Sequence, residues 1–382
     1  MSPTAIHFHR AYLALSETFI YQYLTNLHAY RPIMLARFAQ NLSNFPFADV
    51  YTLSQLPLLA RYWNYAWFRL RRQSPYFNQI IRRERPSLLH AHFGTEGVYA
   101  LPTHHLFDLP LLTTFYGKDM SQQAQEPRWQ AGYKRLFAQG TLFLVEGNHM
   151  KKSLIALGCP PEKIRISHIG VDTQKFNFKP RVYPADDQVN ILMCGRLTEK
   201  KGVAYAIEAV SRLTPQYPHI RLRIIGDGPL RTDLENLIHS RQIQAQVQIL
   251  GYLSHAAYAQ EMANAHLFLA PSVLAADGDS EGGAPTVILE AQAAGVPVVA
   301  STHADIPEVV GIKEPGYLVP ERDSEALAAR LHEMLQNPQK WPEWGQISRH
   351  HVEAEYDIRQ VARMLESIYD EAIYIYQKRE MP

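Results

Sequence analysis

The chain has 382 residues, 46% of them apolar and 20% charged, with a formal net charge of +1 and two cysteines, Cys159 and Cys194. That length points to two or three domains with ample core, and so small a net charge argues against a nucleic-acid partner, which needs a basic surface. Two cysteines cannot make a disulfide framework, the start MSPTAIHFHRAY lacks a basic-then-apolar leader, and no run reaches the ~18–20 apolar residues of a membrane span, so the expectation is a soluble, cytoplasmic protein.

Residues 4–9 read as a strand, and Ser16 as the N-cap of a helix to about residue 29, on which Phe19, Tyr23, Leu24 and Leu27 recur at helical spacing. Residues 32–36 read as a second strand. Residues 61–85 then carry seven arginines, one glutamate and seven aromatics. They read as one or two surface helices whose arginine stems lie over a core face. The alternative is a face that meets an anionic membrane; Ser74-Pro75 interrupts the helix and weighs against it. Strands follow at 87–92 (SLLHAH), 111–115, 142–145 and 163–167, with helices at 98–107 and 148–157 between them. Such alternation implies a parallel sheet covered on both faces, with ligands at the carboxyl ends of its strands. His90, His92, Tyr116 and Asp119 fall at such ends. A single strand histidine is ordinarily structural; agreement between two strand ends strengthens a functional reading.

The polar, proline-spaced segment 179–187 reads as an interdomain linker, after which the alternation restarts. A strand at 189–194 leads into GRLTEKKG and a helix at 203–213; a strand at 222–225 leads into GDGP and a helix to about 239. A strand at 247–250 leads into Gly251-Tyr252-Leu253, with Ser254 capping the next helix. The richest stretch is 271–301. There an acidic loop, Asp277-Gly-Asp-Ser-Glu281, enters Gly282-Gly283, Pro285 sits in a helix's first turn, and Gly295 ends that helix before a buried strand. Two glycines before a helix let the backbone approach a ligand, and the free N–H groups favour an anion. Glu281 precedes that helix and Glu290 lies on it. A diphosphate flanked by hydroxyl-bearing groups suits these pieces, although an ordinary strand–loop–helix contains them too. A strand at 317–319, a helix at 324–335 and a long amphipathic helix at 356–376 complete the chain.

The ordered set GRLTEKKG, GDGP, GYL and EGGAPTVILEAQAAGVPVV, preceded by LSETFI, HAHFG and TTFYGKD, resembles the family 4 retaining glycosyltransferases, in particular members that build exopolysaccharide or lipopolysaccharide. The resemblance spans nearly the whole chain. It implies an α/β protein of the GT-B fold: two Rossmann-like domains facing across a deep cleft, with a C-terminal helix crossing back to the first domain. The domains expected are 1–180 with the tail helix 357–382, binding the acceptor, and 181–356, binding a nucleotide sugar. The implied activity is transfer of a sugar, with retention, to a glycan or polyprenyl-linked acceptor at the inner face of a membrane.

The resemblance implies that Arg196 and Lys201, beside Gly195, grip the donor diphosphate, with Gly226 close by. It implies that Leu250, Gly251 and Tyr252 hold the base and that Glu290 takes the ribose hydroxyls. Glu281 with Gly282, Gly283, Ala284, Pro285 and Thr286 would hold donor sugar and phosphates; Ser16, Glu17, His92 and Asp119 fit the acceptor side. Two departures stand out. Eight residues rather than the usual seven separate Glu281 from Glu290, which places the extra one in the loop 282–284 and leaves Glu281 to be located. Tyr116 replaces the histidine of the usual His-Gly-x-Asp, a role that passes to Tyr116 or His92. Asp277-Gly-Asp279 looks like a metal-binding Asp-x-Asp, a device of a different transferase fold; with Arg196, Lys201 and a helix dipole present, neither metal nor other cofactor is expected. Competing readings are a nucleotide-sugar epimerase of the same fold and a catalytically silent nucleotide-sugar scaffold.

Overall fold

The computed structural model describes residues 2–15, 17–310 and 317–379. Two compact units divide the chain, Met1–Gly170 with Ile358–Pro382, and Val171–Asp357. In the first, the order is β1 (Thr4–Ala11), α1 (Thr18–Asn26), β2 (Arg31–Phe38), β3 (Val50–Thr52), α2 (Leu58–Arg71), α3 (Pro75–Glu84), β4 (Leu88–His92), α4 (Gly94–Phe107), β5 (Leu111–Thr114), α5 (Pro127–Gln139), β6 (Leu142–Val145), α6 (Asn148–Ala156) and β7 (Ile164–Ile166). The second holds β8 (Asn190–Cys194), α7 (Val203–Leu213), β9 (Arg221–Ile225), α8 (Arg231–Ser240), β10 (Val247–Gly251), α9 (His255–Asn264), β11 (Leu267–Ala270), α10 (Thr286–Ala293), β12 (Val298–Ser301), α11 (Ile306–Val310), β13 (Leu318–Val319), α12 (Ser324–Gln336) and α13 (Trp341–Glu355). The last helix, α14 (Ile358–Lys378), returns to the first unit.

The first unit's seven strands run parallel in the order β3-β2-β1-β4-β5-β6-β7. Alternate strand residues feed opposite cores, as the period of two requires. Ile6, Ile33, Leu35, Leu89 and Ala91 meet α3, α4 and α5 on one face; Ala5, Leu88, Leu112 and Leu144 meet α14 on the other. The amphipathic α14 is also fixed by polar contacts, with Glu366 accepting from the N–H groups of His28 and Ala29 at 2.6 Å each and the Tyr30 hydroxyl donating to Asp370 at 2.6 Å. The arginine-rich stretch folds as two helices, with Ser74 capping α3 through the Phe77 N–H at 3.3 Å. Glu17 stands at the N-cap of α1 without a side-chain cap bond; Ser16 lies outside the described residues.

The second unit's six strands are parallel in the order β10-β9-β8-β11-β12-β13 around one core. The polar segment 179–187 belongs to this unit and not to a passage between units. Arg181 is buried and donates to the carbonyls of Ala263 at 2.6 Å and Ala294 at 2.9 Å, at the C-terminal ends of α9 and α10. Its composition resembles a linker because the arginine's partners are distant in sequence; in space it caps two helices. The chain passes between units instead at Gly170/Val171 and Asp357/Ile358. Among the described residues no helix is long and apolar enough to cross a membrane. Cys159 and Cys194 are free thiols.

Candidate functional site

In the second unit the loops after β8, β9, β10 and β11 all lie at carboxyl ends of parallel strands. Gly195 follows β8, and its N–H bonds the Ile225 carbonyl at 3.0 Å, drawing the β8 loop onto the end of β9. Gly226, at φ +132°, has the Gly195 carbonyl oxygen 2.0 Å from where a Cβ would stand, so only glycine lets these loops touch. Gly202, at φ +64°, likewise has the Pro271 oxygen 1.8 Å from a Cβ position, which brings Lys201 to the loop after β11. Arg196 is exposed. Gly226 N–H donates to the Gly251 carbonyl at 2.9 Å, a register shift between Ile249 and Gly251 takes Leu250 out of the ladder at the end of β10, and Tyr252, just beyond, is 75% exposed.

Lys201 reaches across to Glu281, its Nζ lying 2.9 and 3.0 Å from the two carboxylate oxygens. Ser272 Oγ donates to the same carboxylate at 2.9 Å. Burial alone would raise the Glu281 carboxyl; the ammonium groups of Lys201 and Lys200, with the hydrogen bonds from Lys201 and Ser272, hold it below the usual carboxylate range. Glu281 therefore stays ionised, with its place fixed by a cation and a hydroxyl. Gly282, Gly283 and Ala284 lead from it to Pro285, the residue before α10, whose first residue is Thr286. On α10, Glu290 accepts from the Tyr258 hydroxyl. Burial pushes the Glu290 carboxyl up to about 7, against the downward pull of that bond. Of the Asp277-Gly-Asp279 motif, Asp279 pairs with a cation of its own chain, Lys200 Nζ lying 3.2 Å from its Oδ1, while Asp277 Oδ1 accepts from the Asp279 N–H at 3.0 Å.

The corresponding strand ends of the first unit are sealed. His92 is fully buried, its Nδ1 sharing a hydrogen bond with the Tyr116 hydroxyl at 2.7 Å and its Nε2 with His7 Nδ1 at 3.0 Å. His90 lies between Tyr369 and Thr114, at 2.7 Å from each hydroxyl. Burial drives the imidazoles of His7, His90 and His92 well below their ordinary basicity and the Tyr116 phenol well above, so all four are neutral. Asp119 accepts from the N–H groups of Gly94 at 2.8 Å, Gly117 at 3.0 Å and Tyr116 at 3.1 Å, tying the start of α4 to the loop after β5. Burial still lifts its carboxyl to about 6. Glu17 accepts from the Ala14 N–H at 2.7 Å and lies 3.6 Å from His9 Nε2. Among the described residues, His7, His90 and His92 are the group whose ring nitrogens lie close enough to share an ion, within 4.8 Å of one another. Those nitrogens are instead engaged with one another and with hydroxyls, except Nε2 of His7.

The structure thus brings Gly195, Arg196, Lys201, Gly226, Gly251, Glu281 and Glu290 to one edge of one sheet. Sequence reasoning missed Tyr258, Ser272, His7 and a pair beyond them, His303 and Glu321. His303 follows β12 and Glu321 follows β13, positions that the rule used for His92 could have flagged.

Residues 16–175 match the family described as Glycosyltransferase Family 4, and residues 174–351 the family described as Glycosyl transferases group 1. The chain is 38% identical over 255 residues to glycosyltransferase WcaL of Escherichia coli, named for colanic acid biosynthesis, a match covering 66% of this chain and 62% of WcaL. That match spans less than two thirds of WcaL's own length. It is 37% identical over 283 residues to the amylovoran biosynthesis glycosyltransferase AmsK of Erwinia amylovora, covering 72% of this chain and 69% of AmsK. Its fold is similar to that of Anabaena HepE crystallised with UDP, with a TM-score of 0.78 at 16% identity over 97% of this chain and 100% of that one.

Proposed function

This chain belongs to the glycosyltransferases of group 1 and family 4, and from that we propose that it moves a sugar from a nucleotide diphosphate to a glycan or lipid-linked acceptor of a cell-surface polysaccharide, with retention at the anomeric carbon. The observation that carries the reading is the Lys201–Glu281 pair beside Arg196 at the strand ends of the second unit. A departing nucleoside diphosphate needs its growing negative charge neutralised, which an ammonium and a guanidinium do without a metal ion. The backbone N–H groups from Gly282 into α10 suit phosphate oxygens. The carboxylate of Glu290 suits two ribose hydroxyls, and the segment Leu250–Tyr252 suits the base. HepE, of similar fold, was crystallised with UDP and with UDP-glucose, in keeping with a nucleotide-sugar donor.

In this mechanism the bond from the anomeric carbon to the phosphate oxygen breaks while the acceptor hydroxyl attacks from the same face. The departing phosphate takes the hydroxyl proton. The protein's own work is positioning and charge stabilisation. Acceptor recognition falls to the first unit, and the acceptor is carried by a membrane. Helix α2 supports this, since it exposes Leu58, Leu59, Tyr62, Trp63 and Leu70 beside the exposed Arg69 and Arg71. An apolar patch rimmed by arginines suits the anionic inner face of a bilayer. The test is a panel of UDP-, GDP- and ADP-sugars with polyprenyl-diphosphate glycans, run with and without a chelator. Transfer that survives chelation and keeps the donor's anomeric configuration by NMR is expected; anomeric inversion or absence of transfer across the panel overturns the reading.

A further inference from the structure

Behind Glu281 stands a second polar cluster, centred on the buried His303. His303 Nδ1 lies 2.8 Å from Glu321 Oε1, and its Nε2 lies 3.0 Å from Ser280 Oγ and 3.3 Å from the Glu281 backbone nitrogen. Glu321's other oxygen accepts from the Leu274 N–H at 2.8 Å, and Ser280 Oγ accepts from the Gly282 N–H at 3.2 Å. The Glu281 backbone N–H can only donate, so Nε2 is the acceptor and the ring proton sits on Nδ1, facing the Glu321 carboxylate. Glu321 is held below the usual carboxylate range, since the bonds from Leu274 and His303 outweigh the upward effect of burial. One imidazole therefore grips three consecutive residues, Ser280 to Gly282, directly or through Ser280. These residues begin the lengthened loop between Glu281 and α10.

We propose that His303, kept in its Nδ1–H form by Glu321, is the positioning residue that sets the Glu281 carboxylate against Lys201 for sugar transfer. This rests on the donor-site reading above. The trio has the shape of a Ser–His–acid nucleophile, but Ser280 is buried and its oxygen is already bonded by Gly282. It fixes a loop and attacks nothing.

The test uses the full chain with H303A, H303Q and E321Q. In H303A the dissociation constant of the tightest-binding of UDP, GDP and ADP should stay within about threefold, while turnover of the matching nucleotide sugar falls about 10²-fold, the scale of a misplaced reacting group. In H303Q the amide oxygen can replace Nε2, and turnover should return to within about tenfold of wild type. E321Q, which unsettles the tautomer, should fall between them. Unchanged turnover in H303A overturns the proposal, as does equal impairment of H303A and H303Q with matching loss of thermal stability. Labelling of Ser280 by a serine-directed fluorophosphonate also overturns it, in favour of a nucleophile. If the wild type neither binds nor turns over any donor, the function proposed above falls instead. Nitrogen NMR of His303 then decides the tautomer on its own: a bare Nε2 is expected, and a protonated one sinks the inference.

Discussion

The two units share one architecture and treat the ends of their strands in opposite ways. In the first, the polar groups there are buried and tied to one another or to backbone: neutral Tyr116, His92 and His7 hydrogen-bond in series, and Asp119 spends its carboxylate on three backbone amides. In the second they are ionised and partly open to solvent, with Lys201 against Glu281 and Lys200 against Asp279. Desolvation penalises whichever form carries charge, so unpaired imidazoles lose their protons while a carboxylate beside two ammonium groups keeps its charge. A parallel sheet thus says where polar side chains gather. Burial and pairing decide whether they hold architecture or face a charged substrate.

The sharpest way to break this contrast is to remove the cations of the second unit. Arg196→Ala should lower turnover on the order of 10²–10³-fold with thermal stability nearly unchanged, because the side chain is exposed. Lys201→Ala should lose as much turnover. Contrary to what an open loop suggests, it should also cost about 1–3 kcal/mol of stability, since it strands the Glu281 carboxylate. Glu281→Gln added to Lys201→Ala should return stability but not activity. Near-wild-type turnover in both single variants ends the assigned roles.

Asp119→Ala tests the other side. Leaving three amides without an acceptor should cost ~3 kcal/mol of stability in denaturant melts. Nucleotide affinity, which the proposed function assigns to the second unit, should hold. A loss of affinity at full stability would make Asp119 a binding residue.

Glu290→Ala should weaken nucleotide-sugar binding by roughly 1.5–3 kcal/mol, read by calorimetry. The sign of its pH dependence follows from the raised carboxyl. With a folded-state value of about 7, Glu290 is protonated in the free protein below that pH, and the ionised form is the one that accepts two hydroxyls. Affinity should therefore fall as pH drops below about 7, by no more than the loss seen in Glu290→Ala, and level off above it. Glu290→Gln should flatten the profile, and an unchanged profile would leave Glu290 an ordinary helix residue. The smallest effect on turnover is expected at the end of α2 and its C-cap. Changing Arg69, Arg71 and Arg72 to Gln should remove about 1 kcal/mol of leaflet attraction per residue and release the protein from anionic liposomes at low salt. Donor hydrolysis should be untouched. If the wild type does not sediment with such liposomes, the membrane contact is wrong.

Much of this was legible in the chain itself. Apolar runs of strand length alternating with helical spacing are local signals, and they placed β1, β4, β8 and α7 within a residue or two. The short edge strand β3 and the helices α5 and α13 escaped notice. β3 is three residues long, and both helices open on proline-containing turns that read as breaks. Motif order and spacing likewise singled out Arg196, Lys201, Glu281 and Glu290.

What the sequence could not fix were the encounters between strand ends. Lys201 meets Glu281 because β8 and β11 are neighbours in a sheet ordered β10-β9-β8-β11-β12-β13, an order that local spacing does not carry. The same order brings His303 and Glu321 under the loop after β11. Nor does spacing show burial. His92 stands at a strand end like any binding residue, yet α14, arriving from the far end of the chain with Tyr369, closes over the neighbouring His90. Periodicity is set by the backbone of one segment and can be read along the chain; charge state is set by whatever the rest of the fold places beside a group, which no local pattern carries.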